Sequence, residues 1–498
     1  MKTISQVILV LAVVLAIWNF TNLCTLWLDE AMLALNIVQH GLIRLLLPLD
    51  YFQVAPVGYL WMLKGLTHPF EGAIWAFRLP SLAAFALGLY AFRRGMIDLL
   101  DIHAPAGSTS LANLLTASLC LSPLLLKYSV EVKQYMFDFA VWSVAFAGIV
   151  ALQKGSFQPL SSKRHGLLLL ISGPVAMAFS NVAVLVLFSW GLSWLIQDPK
   201  RWRHIFPILS GWAGAFAICY LLFIHDHPAR EFMQEFWSRA GAFMPFDEQI
   251  FHWTLSRIFE LIQGVIPLSS SITSMAFAAL WMLGLLFTKS RAQTQPLLVF
   301  LLLPILIHFL LSGLQMYPMA KRLGMWHIGG MVAMWGLALG KFGSSHRYLR
   351  QTSLVVLAFS LVLQCKNTLK SPPRCLDSLQ NVLEHFEANP RDFNPIFLDL
   401  RMWASTSFHL GTHTSFPERN FIVLGNYKSG FPDDLPEVTR SAPDTCWVLV
   451  YDYSFSFRNE KNETPAQSAL EHWREQGRSV TLVTQEGVIE LWKVVNNP

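Results

Sequence analysis

Apolar runs long enough to span a bilayer recur along most of the chain. They lie at about residues 4–27, 78–98, 109–127, 136–153, 166–180, 182–197, 205–224, 272–288, 295–313, 324–340 and 353–366, eleven in all. Runs of roughly 20 apolar residues predict membrane-crossing helices. No small-residue cleavage site follows the first run, so it is retained as a helix and not read as a cleaved signal. Pro174, Asn181 and Pro207 interrupt the middle runs, which neighbouring helices tolerate by satisfying the freed carbonyls. The stretch from about 30 to 75 differs: Gly41, Pro48, Asp50, Pro56, His68 and Pro69 break it into short amphipathic pieces. It is predicted to be a long ordered loop of interfacial helices.

The pattern changes again after about residue 366. Short aliphatic runs at Pro395–Leu398, Phe421–Leu424, Cys446–Tyr451, Val480–Val483 and Val488–Trp492 alternate with turn-forming residues and predict strands. Segments at about 374–388 and 464–476 read as helices. The chain is therefore divided into a transmembrane domain, 1–366, and a small α/β domain, 367–498, large enough for its own core. No internal repeat or low-complexity segment stands out.

Composition narrows the class. With 53% apolar and 14% charged residues and a mean hydropathy of +0.42, a soluble protein is excluded. The formal charge of +5 matters less than its distribution. Lys2, Arg93 and Arg94, Lys154 with Lys163 and Arg164, Lys200 with Arg201 and Arg203, Lys289 with Arg291, and Lys341 with Arg347 and Arg350 occupy alternate loops. The positive-inside rule then places the N-terminus in the cytoplasm and the terminal domain on the far face. The six cysteines form no metal or redox motif. Cys375 and Cys446 are the candidates for a disulfide in an oxidising compartment.

Candidate chemistry collects on the far face. Asp29 and Glu30 directly follow the first span, where a carboxylate is either a helix-end residue at the water interface or part of an active-site mouth. Glu131 and Lys133 follow the third span, and Tyr135 lies one helical turn from Glu131, close enough to share a neighbourhood. Tyr317 and Pro318 precede Lys321 and Arg322, two cations that either snorkel at the boundary or hold a phosphate. Carboxylates from two loops with cations from others suit displacement at a sugar carbon that carries a lipid-phosphate leaving group. No glycine-rich nucleotide cradle is present, and nothing points to nucleic acid. His225, Asp226, His227, Asp247, Glu248 and His252 match no zinc spacing. The aromatics between Phe232 and Trp253 read as an interfacial helix. Asp399, Arg401, Asp452 and Tyr453 at strand ends read as turn residues without chemistry.

Five landmarks occur in order: Asp29-Glu30, Tyr51–Tyr59 in the first outer loop, Arg78-Leu79-Pro80-Ser81, Glu131-x-Lys133-x-Tyr135, and Tyr317-Pro318 followed by Arg322. Together they resemble the bacterial GT-C glycosyltransferases, most of all the protein-mannosyltransferase and aminoarabinose-transferase relatives. The resemblance covers roughly residues 20–340. It implies a multi-pass enzyme of the bacterial inner membrane, taking a monosaccharide from a polyprenyl-phosphate donor to a glycan, lipid or protein acceptor. It implies Asp29 as general base, Glu30 as second candidate or structural partner, and Glu131 as the acid that orients acceptor or donor. Lys133, Lys321 and Arg322 would be phosphate contacts, with Tyr135 and Tyr317 among the substrate-binding groups. Where some members carry Lys or His before the proline of the first outer loop, this chain reads Gln53-Val54-Ala55-Pro56, so Gln53 contributes hydrogen bonds only. No cofactor is specified; metal dependence differs among relatives, and a divalent cation stays open.

Three rival readings remain at this level. A lipid-linked glycan flippase would show related halves and polar residues near span centres. A polysaccharide ligase would carry a large outer loop late in the chain. A catalytically dead scaffold would have no need of both Asp29 and Glu131. The acids here cluster early, at boundaries on one face.

Overall fold

The computed structural model describes residues 2–21, 25–103, 108–156, 163–265, 295–345, 347–370, 379–389, 394–399, 402–410, 421–424, 435–451, 461–486 and 488–496. The chain forms two compact units: Met1–Asn22, Leu42–Leu63 and Arg78–Pro373 in one, Leu23–Gly41, Lys64–Phe77 and Arg374–Pro498 in the other.

Helices α1 (Lys2–Thr21), α2 (Leu28–Gln39), α3 (Val57–Thr67), α4 (Ile74–His103), α5 (Ser108–Cys120) and α6 (Pro123–Ser129) follow one another from the N-terminus. Next come α7 (Tyr135–Lys154), α8 (Lys163–Phe179), α9 (Ala183–Gln197), α10 (Trp202–Phe223), α11 (Arg230–Arg239) and α12 (Ile250–Val265). The helical part ends with α13 (Gln295–Gly313), α14 (His327–Ser345) and α15 (Arg347–Lys370). Among the described residues, α1, α4, α7, α10 and α13 are long and apolar enough to cross a membrane, and the pair α5–α6, bent by 63°, makes a sixth if taken as one span. Helices coincide with every predicted apolar run except that at about 272–288, which lies outside the described residues. The predicted loop of 30–75 is ordered as expected, built from α2, α3 and short 3-10 turns.

Close helix approach in the first unit depends on small residues. Gly88 and Gly95, seven apart on α4, face Phe139 and Phe146, seven apart on α7. A Cβ added at Gly88 would lie 2.6 Å from the Phe139 ring, and one at Gly95 2.8 Å from the Phe146 ring. Glycines at this spacing let the two backbones approach, which is how membrane helices gain dispersion contacts where lipid supplies no hydrophobic drive. Phe92, Phe139, Trp142, Phe146 and Phe300 are among the aromatic side chains buried in this core.

In the second unit the C-terminal chain forms strands β1 (Ile396–Asp399), β2 (Phe421–Leu424), β3 (Thr445–Tyr451), β4 (Ser479–Glu486) and β5 (Ile489–Val495). They order β2-β1-β3-β5-β4, with β1 parallel to β2 and β3, and β5 antiparallel to β3 and β4. Alternation along the strands divides the core. Ile396, Leu398, Trp447 and Leu449 pack with Phe386 of α16 (Gln380–Ala388). Phe397, Cys446, Val448 and Val450 pack with Leu470 and Trp473 of α19 (Pro465–Glu475). The period of two thus buries both sheet faces under helices. Two short helices escaped the sequence reading, α17 (Trp403–Leu410) and α18 (Leu435–Arg440). Of the disulfide candidates, Cys446 is a free, buried thiol, and Cys375 lies outside the described residues.

Asp399 is a buried structural acid. Its carboxylate accepts from the Tyr451 N–H at 3.0 Å, the Thr464 hydroxyl at 3.0 Å and the Ala466 N–H at 2.9 Å. It therefore ties β1 and β3 to the first turn of α19. Arg401, Asp452 and Tyr453 lie outside the described residues.

Candidate active site

In the first unit, the short link between α6 and α7 carries Glu131 and Lys133. The sequence suggested a continuous helical turn here, but residues 130–134 are bent, and α7 starts at Tyr135. The reason is visible in the backbone. The Lys133 N–H closes a tight turn onto the Glu131 carbonyl at 2.9 Å, and Ser81 of α4 directs its hydroxyl at the carbonyls of Glu131, 2.6 Å away, and Lys133, 3.2 Å away. Buried carbonyls that a helix would have paired internally are met instead by a side chain from another element. The landmark Arg78-Leu79-Pro80-Ser81 thus places a hydroxyl where it fixes the Glu131–Lys133 link.

Lys133 is buried, and its ammonium donates to Gln53 Oε1 at 2.7 Å. Gln53 is buried too, with its amide nitrogen donating to the Tyr51 carbonyl at 3.3 Å. The backbone leading to it is strained: Tyr51 and Phe52 both take left-handed conformations, with φ of 61° and 55°. Each non-glycine residue in that region costs on the order of 1 kcal/mol or more, and surrounding contacts must hold it there. Phe52 is held by stacking on Phe232 of α11 at 4.5 Å, and the loop is clipped upstream by the Arg44–Asp50 ion pair at 3.0 Å. Glu131 lies 4.0 Å from Lys127, and Tyr128 meets Tyr135 edge to face at 5.3 Å. Gln53, Glu131, Lys133 and Tyr135 are therefore brought onto the adjoining ends of α6 and α7 and the loop packed there.

The turn between α13 and α14 holds the other candidates of this unit. Tyr317 packs its ring on His308 at 4.9 Å. Its hydroxyl is buried, and burial first, then the nearby Asp138 and Tyr135, push the phenol well above its ordinary pKa. His308 Nε2 lies 3.1 Å from the Pro318 carbonyl, and its Nδ1 lies 3.0 Å from His327 Nε2. A carbonyl can only accept, so His308 carries its proton on Nε2, and His327 donates to Nδ1. This buried pair pins the Tyr317-Pro318 turn. Arg322 stacks on Trp237 of α11 at 4.9 Å. Lys321 is exposed near Glu260, which pairs with Arg257 at 2.8 Å. The Met319 N–H bonds the Ala242 carbonyl at 2.8 Å, fastening the turn to the chain after α11. Of the aromatics there, Phe232, Phe236 and Trp237 lie on α11 and Phe251 and Trp253 on α12, whereas Phe243 and Phe246 lie in the irregular link between the two helices and not on one expected helix; Trp237 in addition lies against a candidate cation.

In the second unit, Asp29 and Glu30 occupy the first turn of α2. Glu30 is 1% exposed, and its Oε2 accepts the Trp27 N–H at 3.3 Å, capping its own helix. Asp29 is half-buried. The approach to the helix is held twice more: the Leu26 N–H donates to His409 Nε2 at 2.9 Å, and Thr25 Oγ1 accepts the Leu379 N–H at 2.9 Å. Sequence reasoning marked Ser81 and Trp237 without these roles, and missed His308, His327 and His409. A histidine inside an apolar run was the available signal for His308; for His409 there was none.

Of the loop acids and histidines, His225 pairs with Asp226 at 2.7 Å on the surface. Among the described residues no three His, Cys, Asp or Glu side chains gather as a metal site.

No protein-family model and no curated protein matches the chain. Its fold is shared with solved structures of ArnT from Cupriavidus metallidurans. The one bound to undecaprenyl phosphate aligns with a TM-score of 0.58 at 12% identity, covering 98% of this chain and 97% of that one. The apo structure aligns with a TM-score of 0.54 at 12% identity over the same shares.

Proposed function

We propose that this chain is a membrane glycosyltransferase that moves a monosaccharide from a polyprenyl-phosphate donor to an acceptor on the extracytoplasmic face of a bacterial inner membrane. The observation that carries the reading is the fold shared along nearly the whole chain with a protein crystallised with undecaprenyl phosphate. The ordered acids and cations of the chain support it.

The reaction is a displacement. Asp29 takes the proton of the acceptor hydroxyl as its oxygen bonds to the anomeric carbon, and the carbon–oxygen bond to the phosphate breaks with the electron pair leaving on the phosphate. Lys133 and Arg322 neutralise that developing charge, Arg322 through a planar fork placed over the Trp237 ring. Lys321 is an outer phosphate contact. Tyr317 stays protonated and donates to a phosphate oxygen. Glu131 orients the sugar or acceptor, with Tyr135 beside it. A single displacement by one base gives inversion. In this reading the N-terminus is cytoplasmic, residues 367–498 form the extracytoplasmic domain, and 1–366 the transmembrane one.

The test is mass spectrometry of the cell envelope from a strain lacking the protein, complemented with wild type or Asp29→Asn. Loss of a hexose- or pentose-sized increment that only wild type restores supports the transferase and identifies sugar and acceptor. An unchanged envelope in the deletion strain would overturn it.

A further inference from the structure

We infer that His409 is a positioning residue for Asp29, so that the C-terminal α/β chain sets the geometry of the base. The inference rests on the reading of Asp29 as base.

The helix that carries Asp29 starts with backbone N–H groups, ahead of and at its first turn, that have no partner within the helix. Glu30 meets that of Trp27. The Leu26 N–H, ahead of the helix and on a fully buried residue, is met by a side chain 383 positions away, His409 on α17. The accepting Nε2 must offer a lone pair, so this imidazole is neutral with its proton on Nδ1. His409 is itself only 5% exposed and sits on a helix that packs against α2. The neighbouring Phe408 locks that helix edge to face on Phe77 at 5.8 Å. The second tail contact, from the Leu379 N–H to Thr25, is one residue earlier. Consecutive residues Thr25 and Leu26 are thus fixed by the tail, and Asp29 follows within one helical turn. Loss of the Leu26 bond lets the helix entry move, and the carboxylate moves with it. Displacements of about 1 Å at a reacting group cost up to roughly 10²-fold in rate.

The experiment compares full-length wild type, His409→Phe and His409→Gln. Phe keeps the ring volume without an acceptor; the Gln amide oxygen reaches the place of Nε2 and accepts. Hydrogen exchange in detergent should show the Leu26–Leu28 amides exchanging at least about tenfold faster in His409→Phe and near wild type in His409→Gln. In the complemented deletion strain, the rate at which the missing envelope mass returns, per inserted protein, should fall about 10- to 100-fold in His409→Phe and recover in His409→Gln. Unchanged exchange in His409→Phe overturns the anchor; faster exchange with an undiminished rate, or a loss that His409→Gln does not rescue, overturns the positioning role. Asp29→Asn in parallel separates the failures, because full turnover there overturns the base assignment itself.

Discussion

The bond between Lys133 and Gln53 gives the sharpest test of the first unit. The ammonium and amide oxygen are 2.7 Å apart, and both side chains are buried. A hydrogen bond to a charged group contributes about 1.5–3 kcal/mol, and stranding one partner away from water costs a similar amount. Lys133→Met leaves the amide oxygen without this donor, and Gln53→Leu leaves the ammonium without this acceptor. Each variant should lose about 1–3 kcal/mol of apparent stability. The double variant replaces the pair with two apolar side chains of similar shape, so its loss should be smaller than the sum of the singles by about 1.5–3 kcal/mol. Thermal loss of the monodisperse fraction in detergent reads this as a partial recovery of the midpoint. Activity should not follow: if Lys133 holds the leaving phosphate, both variants lacking it transfer sugar on the order of 10²-fold more slowly. Stability losses additive within about 0.5 kcal/mol would refute the coupling. Undiminished transfer by Lys133→Met would refute the phosphate role.

Ser81→Ala removes the donor facing the Glu131 and Lys133 carbonyls. It should cost about 1–3 kcal/mol in the same thermal assay and slow transfer, because the link that aims both side chains loosens. Glu30→Gln keeps an oxygen for the Trp27 N–H and should transfer at close to the wild-type rate, whereas Glu30→Ala should cost about 1 kcal/mol of stability in the thermal assay. An Asp29-like loss of transfer in Glu30→Gln would move the base to Glu30. Burial pushes the Cys446 thiol up to about 12, against the opposing pull of Arg478. With roughly 10³-fold less thiolate than an ordinary cysteine, it should resist maleimide at pH 8 until the domain unfolds; stoichiometric labelling of folded protein would contradict its placement in the core.

Sequence legibility followed the range of the interaction. The helices of the membrane part show as runs, and the five strands show as short aliphatic segments, because length and period are local properties. Helix α17 was missed because Trp403–Leu410 is a polar-apolar mixture whose burial comes from packing on distant chain. The bend at 130–134 was missed for the same reason, since Ser81 stabilises it from 50 residues upstream. The candidate residues were legible as types at boundaries, but their duties were not. Gln53 looked like the loss of a cation and proves to be the acceptor that holds one, which depends on a contact spanning 80 residues.

The order of the two acids also acquires a physical reason. A carboxylate at the third helical position can turn back to its own helix start, and the extra methylene of Glu gives it the reach that Asp lacks. Glu30 stands at that position and bonds the Trp27 N–H. Asp29, one residue earlier, projects about 100° away around the same helix axis. The second acid thus fixes the turn on which the first is carried. With Asp29 as the proposed base, the Asp-Glu order gives it a capped turn to stand on, whereas the reversed order would put the shorter side chain on the capping duty.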